Sequence, residues 1–166
     1  MRDGGTVTAW FANNPSIKSS VTFKKLETIQ TEVIYASSEE VDDGDAKNLV
    51  DGDPTTYWHS MYSVTVAKYP HWVDLDAGEV KTIKGFTYMP RQDSYNGNIK
   101  EYSIHVSMDG KNWGEPVQKG TFAGNRDEKK VIFSQPVKGR YIRFTALSEQ
   151  YGQDYACLLY TSDAAD

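Results

Sequence analysis

What most constrains this chain is the spacing of its interruptions. From about residue 31 onward, short alternating or apolar runs are broken by Gly, Pro, Asn and Asp at roughly 8–12-residue intervals, the pattern of a sandwich or barrel. No stretch keeps helical periodicity for three turns. The runs predict strands at 72–75, 83–89, 101–107, 130–133 and 140–147. In YSIHVS, Tyr102, Ile104 and Val106 share one face and Ser103, His105 and Ser107 the other. MDGKNW follows with an Asp109-Gly110 turn, a strong short-range hairpin signal. In the last run Ile142 and Phe144 alternate with Tyr141 and Arg143. The fold class read from these runs is all-β.

Length and charge narrow the functional classes. With 166 residues the chain holds one domain and a modest appendage, too little for a large barrel enzyme. Acidic residues outnumber basic ones 23 to 18, for a net charge of −5, and no long Lys/Arg run occurs. That balance argues against nucleic acid or an anionic membrane as partner. No apolar run approaches the ~20 residues of a membrane span, and MRDGGTVTAW lacks the apolar core of a secretory signal.

Both ends read differently from the body. TVTAWF and SVTFKKLETI suggest two strands around Asn13-Asn14-Pro15. Residues 1–30 are therefore expected to be the remnant hairpin of a preceding domain or an N-terminal extension, joined near 30–32 to a main domain of 31–156. The last ten residues, CLLYTSDAAD, are what TGT CTC TTA TAC ACA TCT GAC GCT GCC GAC encodes, a transposase-type sequencing adapter. Residues 157–166 are thus expected to be translated adapter. The authentic part then has no cysteine, and without Asp163 and Asp166 its charge is −3.

Two segments concentrate polar chemistry. AKNLVDGDPTTYWHS holds Asp51, Asp53 and Thr56 around Gly52 and Pro54, oxygens that suit a hard cation such as calcium. The plainer alternative is a loop whose Asx and Thr side chains satisfy their own backbone. MPRQDSYNGNI carries Arg91, Gln92, Asp93, Asn96 and Asn98, directed donors and acceptors that suit a hydroxyl-rich ligand, or else a solvated loop with an Asn96-Gly97 turn. His59 and Tyr62 follow the acidic turn. His59, His71 and His105 can each be a satisfied structural side chain, and Trp58, Trp72 and Trp113 are expected in the core. No HExxH, GxSxG or paired-cysteine motif appears, so catalysis is not expected.

Taken in order, NLVDGDPTTYWHS, YPHWVDLDAG, GFTYMPRQ, NGNIKEYSIHVSMDGKNW and GRYIRFTAL resemble the coagulation factor V/VIII type C, or discoidin, domain, and more closely bacterial family 32 carbohydrate-binding modules, from about residue 33 to 156. The resemblance implies a jelly-roll-like β-sandwich (galactose-binding-domain-like) with ligand loops at one end and a structural calcium beside them. It implies that Asp51, Asp53 and Thr56 hold calcium, with the backbone carbonyl of Lys47. It makes His59, Arg91 and Asn96 polar contacts to a galactose-type sugar, accepted or donated at its axial 4-hydroxyl. Tyr62 becomes the aromatic of the binding loop, and Tyr151 or Tyr155 a stacking platform. The family closes with a segment whose glutamate completes the calcium site. Cys-Leu-Leu-Tyr-Thr has no Glu there, so the site is expected to lack a ligand, while Leu158 to Tyr160 are apolar enough to take the strand's place.

The resemblance implies a non-catalytic glycan-binding module, monomeric within a secreted or periplasmic carbohydrate-active enzyme. The alternative is an adhesion or lipid-headgroup module with apolar spikes on its loops.

Overall fold

The computed structural model describes residues 6–11, 14–22 and 27–164. A separate antiparallel pair comes first, β1 (Thr6–Phe11) with β2 (Asn14–Thr22). The second strand starts at Asn14, inside the Asn-Pro segment read as the turn and earlier than the sequence suggested. Glu27–Ile29, grouped above with the N-terminal segment, is a strand of the main domain (β3). Then come β4 (Glu32–Ala36), a 3-10 turn at Ala46–Leu49, β5 (Trp58–His59), β6 (His71–Met89), β7 (Glu101–Ser107), β8 (Gln118–Thr121), β9 (Lys129–Ala146) and β10 (Cys157–Ala164).

Two long strands organise the sandwich. The first part of β6, residues 71–76, pairs with β4 and with residues 141–146 of β9, which in turn pair with β7, and β7 with β8. The second part of β6 pairs with residues 129–139 of β9 and with β10, and β10 with β3. Both strands thus pass from one layer into the other. The sequence suggested two short strands in each place, because Gly78 and Gly139 read as stops. They mark register shifts instead: the pairing slips between Asp76 and Lys81 and again between Ile83 and Gly85. Bulges of this kind bend a strand without ending it. The segment read as adapter, Cys157–Ala164, forms β10 in this layer.

Alternation places Val73, Leu75, Ile104, Ile142 and Phe144 between the layers, all at most 1% exposed. Around Phe86 the rings of Tyr102, Phe122, Phe133 and Phe144 pack with centroids 5.4–6.3 Å away. Edge-to-face contact of this kind adds to the area buried. On the outer face, Asp74 and Arg143 sit directly opposite each other and pair bidentately at 2.6 and 2.7 Å, and at the register shift Arg140 pairs bidentately with Asp76 at 2.7 and 2.8 Å.

Trp58 is fully buried as expected, but the other two tryptophans expected in the core are half-buried on that outer face. Arg143 lies between them, 5.7 Å from the Trp72 ring and 4.4 Å from that of Trp113. Strand parity puts Trp72 opposite the core residues, Trp113 lies in the loop between β7 and β8, and for both cation–π contact replaces burial. Among the described residues no helix is long and apolar enough to cross a membrane.

Candidate functional site

Three loops meet at one end of the sandwich around the short strand β5. Backbone bonds fix the first: Glu40 N–H donates to the His59 carbonyl at 2.9 Å, and His59 N–H to the Gly44 carbonyl at 3.0 Å. Gly44 has no room for a side chain, since a Cβ there would lie 2.5 Å from the His59 Cβ. The buried Glu40 carboxylate then ties down the next loop, accepting from Tyr62 N–H at 2.7 Å and Ser63 N–H at 2.9 Å and from the Ser63 hydroxyl. These bonds hold its carboxyl below the usual carboxylate range.

The loop after β6 is fastened from beneath. The buried Tyr88 hydroxyl donates to Asn98 Oδ1 at 3.2 Å and accepts from Ile99 N–H at 3.1 Å. Asn98 is therefore scaffold, 2% exposed, and its neighbour Asn96 is exposed. β10 joins all three loops. Cys157 and Leu158 pair with His59 and Trp58, Cys157 N–H donates to the Gly97 carbonyl at 2.9 Å, and Ser60 N–H to the Ala156 carbonyl at 2.9 Å.

Between the loops lies a cavity of about 320 Å³ lined by Asp43, Tyr57, His59, Tyr62, Arg91, Asn96 and Tyr155. The structure thus brings together His59, Tyr62, Arg91, Asn96 and Tyr155. Tyr151 lies outside, against Tyr95, with ring centroids 6.2 Å apart. Asp43 and Tyr57 were missed by sequence reasoning. Tyr57 could have been found, since alternation opposes it to the buried Trp58; Asp43 had no signal among the acids of VDDGD.

The ring of His59 is set by its neighbours. Its Nδ1 lies 2.5 Å from the Ser60 carbonyl, which can only accept, so Nδ1 carries the proton. Burial lowers its pKa from 6.5, the Ser60 bond opposing, so near neutral pH Nε2 is an acceptor rather than a donor. Tyr62 meets the ring edge-on at 4.7 Å and Tyr155 tilts against it at 5.5 Å. The Tyr62 hydroxyl donates to Asp43 Oδ2 at 2.7 Å, a bond that raises its pKa to about 12. Arg91 lies 4.3 Å over the Tyr57 ring, and its fork pairs with Asp93, through Nε to Oδ1 and Nη2 to Oδ2 at 2.8 Å. The site therefore offers aromatic faces, a fixed guanidinium, an amide, a neutral imidazole and one carboxylate.

The acidic turn closes largely on itself. Asp51 accepts from Asp53 N–H at 2.8 Å and from the Thr56 hydroxyl at 2.7 Å, and Asp53 Oδ1 from Thr55 N–H at 2.8 Å and its hydroxyl at 2.7 Å. The Lys47 carbonyl accepts from Val50 N–H at 3.3 Å, while the Lys47 ammonium pairs with Asp45 at 2.9 Å. Among the described residues no three His, Cys, Asp or Glu side chains converge on one point. The Asp53 carbonyl accepts from Thr56 N–H at 3.3 Å and its hydroxyl at 3.1 Å, while Asp53 Oδ2 remains open, one of the six to eight oxygens calcium takes.

A sandwich with a loop-built polar and aromatic cavity at one end is the architecture of a binding module. Residues 33–159 match the F5/8 type C domain model, and the chain belongs to that family. It is 38% identical over 151 residues to a sialidase of Micromonospora viridifaciens, covering 89% of this chain and 23% of the relative. With a galactose oxidase of Gibberella zeae it shares 31% over 116 residues, 69% of this chain and 17% of the relative. The chain thus spans less than a quarter of either protein. Among solved structures, CpGH89CBM32-5 of Clostridium perfringens, in complex with GalNAc-β-1,3-galactose, superposes with a TM-score of 0.76 at 29% identity, over 84% of this chain and 100% of that one. The family 32 module of C. perfringens NanJ, in complex with galactose, gives a TM-score of 0.72 at 26% identity, over 82% and 97%.

Proposed function

We propose that this chain is a non-catalytic carbohydrate-binding module taking a terminal galactose or N-acetylgalactosamine, as a monomeric accessory of a larger carbohydrate-active enzyme outside the cell or in the periplasm. The observation that carries the reading is the cavity, where His59, Arg91 and Asn96 face the same space as Tyr57, Tyr62 and Tyr155. Directed polar groups suit the hydroxyls of galactose, and the rings suit its C–H face. With His59 neutral, the axial 4-hydroxyl would donate to Nε2 while accepting from Arg91. The galactose-containing complexes of the two solved relatives support the sugar.

Bonds of ~1 kcal/mol each and shallow stacking add up to an affinity of about millimolar. Titration with galactose and N-acetylgalactosamine, followed by tryptophan and tyrosine fluorescence, is expected to saturate in that range. A cooperatively melting sample that binds neither sugar would refute the reading. The adhesion or lipid-headgroup alternative draws on Val41 and Val64, 64% and 86% exposed and each two residues from a cavity residue. Pelleting with vesicles in the absence of sugar binding would favour it.

We further propose that the turn of Asp51, Asp53 and Thr56 takes calcium weakly, with a Kd of ~10⁻⁴–10⁻³ M, the range of extracellular modules. About 10 mM calcium is then expected to raise the melting temperature over a chelated sample by a few degrees. Coincident melting curves would sink the idea.

A further inference from the structure

The cavity is lined by one guanidinium and one carboxylate, and the guanidinium already carries a carboxylate of its own. Arg91 is held by Asp93 in a bidentate pair, so two carboxylates stand against one cation, whose charge still reaches His59 and Tyr57. His59 is neutral near pH 7, its pKa lowered by burial. The Glu40 carboxylate is consumed by the Tyr62 and Ser63 backbone and the Ser63 hydroxyl, behind the loop. Asp43 remains: it lines the cavity, is exposed, and the one hydrogen bond its carboxylate accepts among the described residues comes from the neutral Tyr62 hydroxyl at 2.7 Å. A phenol that donates a hydrogen bond orients a carboxylate without discharging it.

We propose that Asp43 acts as a charge filter, making the cavity a site for uncharged glycans and rejecting saccharides that carry a carboxylate. The inference rests on the reading of this cavity as a sugar site, and adds which chemical class of sugar it admits. It does not require Asp43 to touch the ligand. Two like charges confined to one cavity at about 6 Å repel by about tenfold in affinity at an effective dielectric of about 40, and an uncharged sugar feels none of this.

Galactose and galacturonate make the test, because they share ring, anomeric form and axial 4-hydroxyl and differ only at C6. The wild-type domain is expected to bind galacturonate about tenfold more weakly than galactose at low salt, with the gap narrowing as ionic strength rises. Asp43→Asn keeps an acceptor for the Tyr62 hydroxyl and removes the charge. It is expected to close most of the gap between the two sugars, read as the ratio of their affinities.

A purely structural role for Asp43 would weaken both sugars together and leave their ratio unmoved, which would overturn the proposal. So would equal or tighter wild-type binding of galacturonate, which would mean that the Arg91 charge outweighs that of Asp43 despite Asp93. Binding of neither sugar by a folded sample is a different failure: it removes the galactose reading, and the filter with it.

Discussion

Arg91→Ala is expected to leave the domain folded and without measurable affinity for galactose. The side chain lies in the loop after β6, 20% exposed over Tyr57, and its ion-pair partner Asp93 is 64% exposed. An exposed ion pair contributes about 1 kcal/mol or less to stability, so the melting temperature should fall by only a few degrees. Binding has more to lose. A charged donor to a sugar hydroxyl is worth ~1.5–3 kcal/mol, a factor of roughly 10–150. Applied to a millimolar affinity, that removes saturation from the accessible range. Arg91→Lys should fall between, because an ammonium keeps the charge but not the planar fork that Asp93 and Tyr57 hold in place. The check is the fluorescence titration beside a melting curve; affinity within threefold of wild type in Arg91→Ala would place the sugar elsewhere.

Gly97→Ala should have the larger effect on folding. Gly97 sits at a φ of 71°, a backbone region that costs an L side chain ~1–2 kcal/mol. A Cβ there would also stand 2.5 Å from the Cys157 nitrogen and 2.8 Å from its sulfur. These are a backbone atom of a paired strand and a buried side chain, so neither moves away without breaking the pairing of β10 with β5. Overpacking adds ~1–3 kcal/mol, for a fall in melting temperature of order 10 °C. Differential scanning calorimetry measures this directly. A loss below about 3 °C would show that the loop relaxes around the methyl group. The two variants separate two roles within one loop: Arg91 faces the cavity, and Gly97 faces the strand that holds the loop.

The layers were legible because a half-buried strand must alternate, and Tyr102, Ile104, Ile142 and Phe144 do. The length of β6 and β9 was not, since a glycine at a bulge and a glycine at a turn look the same without a partner strand. The site was readable to the extent that its residues cluster in sequence, as His59 and Tyr62 do, or sit beside a turn signal, as Asn96 does. Asp43 was invisible because its place depends on Gly44 packing against His59 and on the Tyr62 hydroxyl reaching back across 19 positions. Trp72 and Trp113 were misplaced because size alone suggested burial, and the guanidinium of Arg143 offered another way to cover them. The acidic turn kept both of its readings, since the same oxygens that satisfy their own backbone are those a cation would use.

The way β10 reaches the site has a consequence for how such modules diversify. At residues 156–158 it holds the loops through main-chain groups: the Ala156 carbonyl, the Cys157 amide and the ladder to Trp58 and His59. Peptide groups are the same in every residue but proline, so this grip is blind to the letters of the segment. What the buried positions require is only that Ala156, Cys157 and Leu158 be replaced by residues of similar bulk and without charge. Residues 156–158 can therefore be replaced by others of similar bulk, by drift or by recombination, while the loops around the cavity stay in register above them.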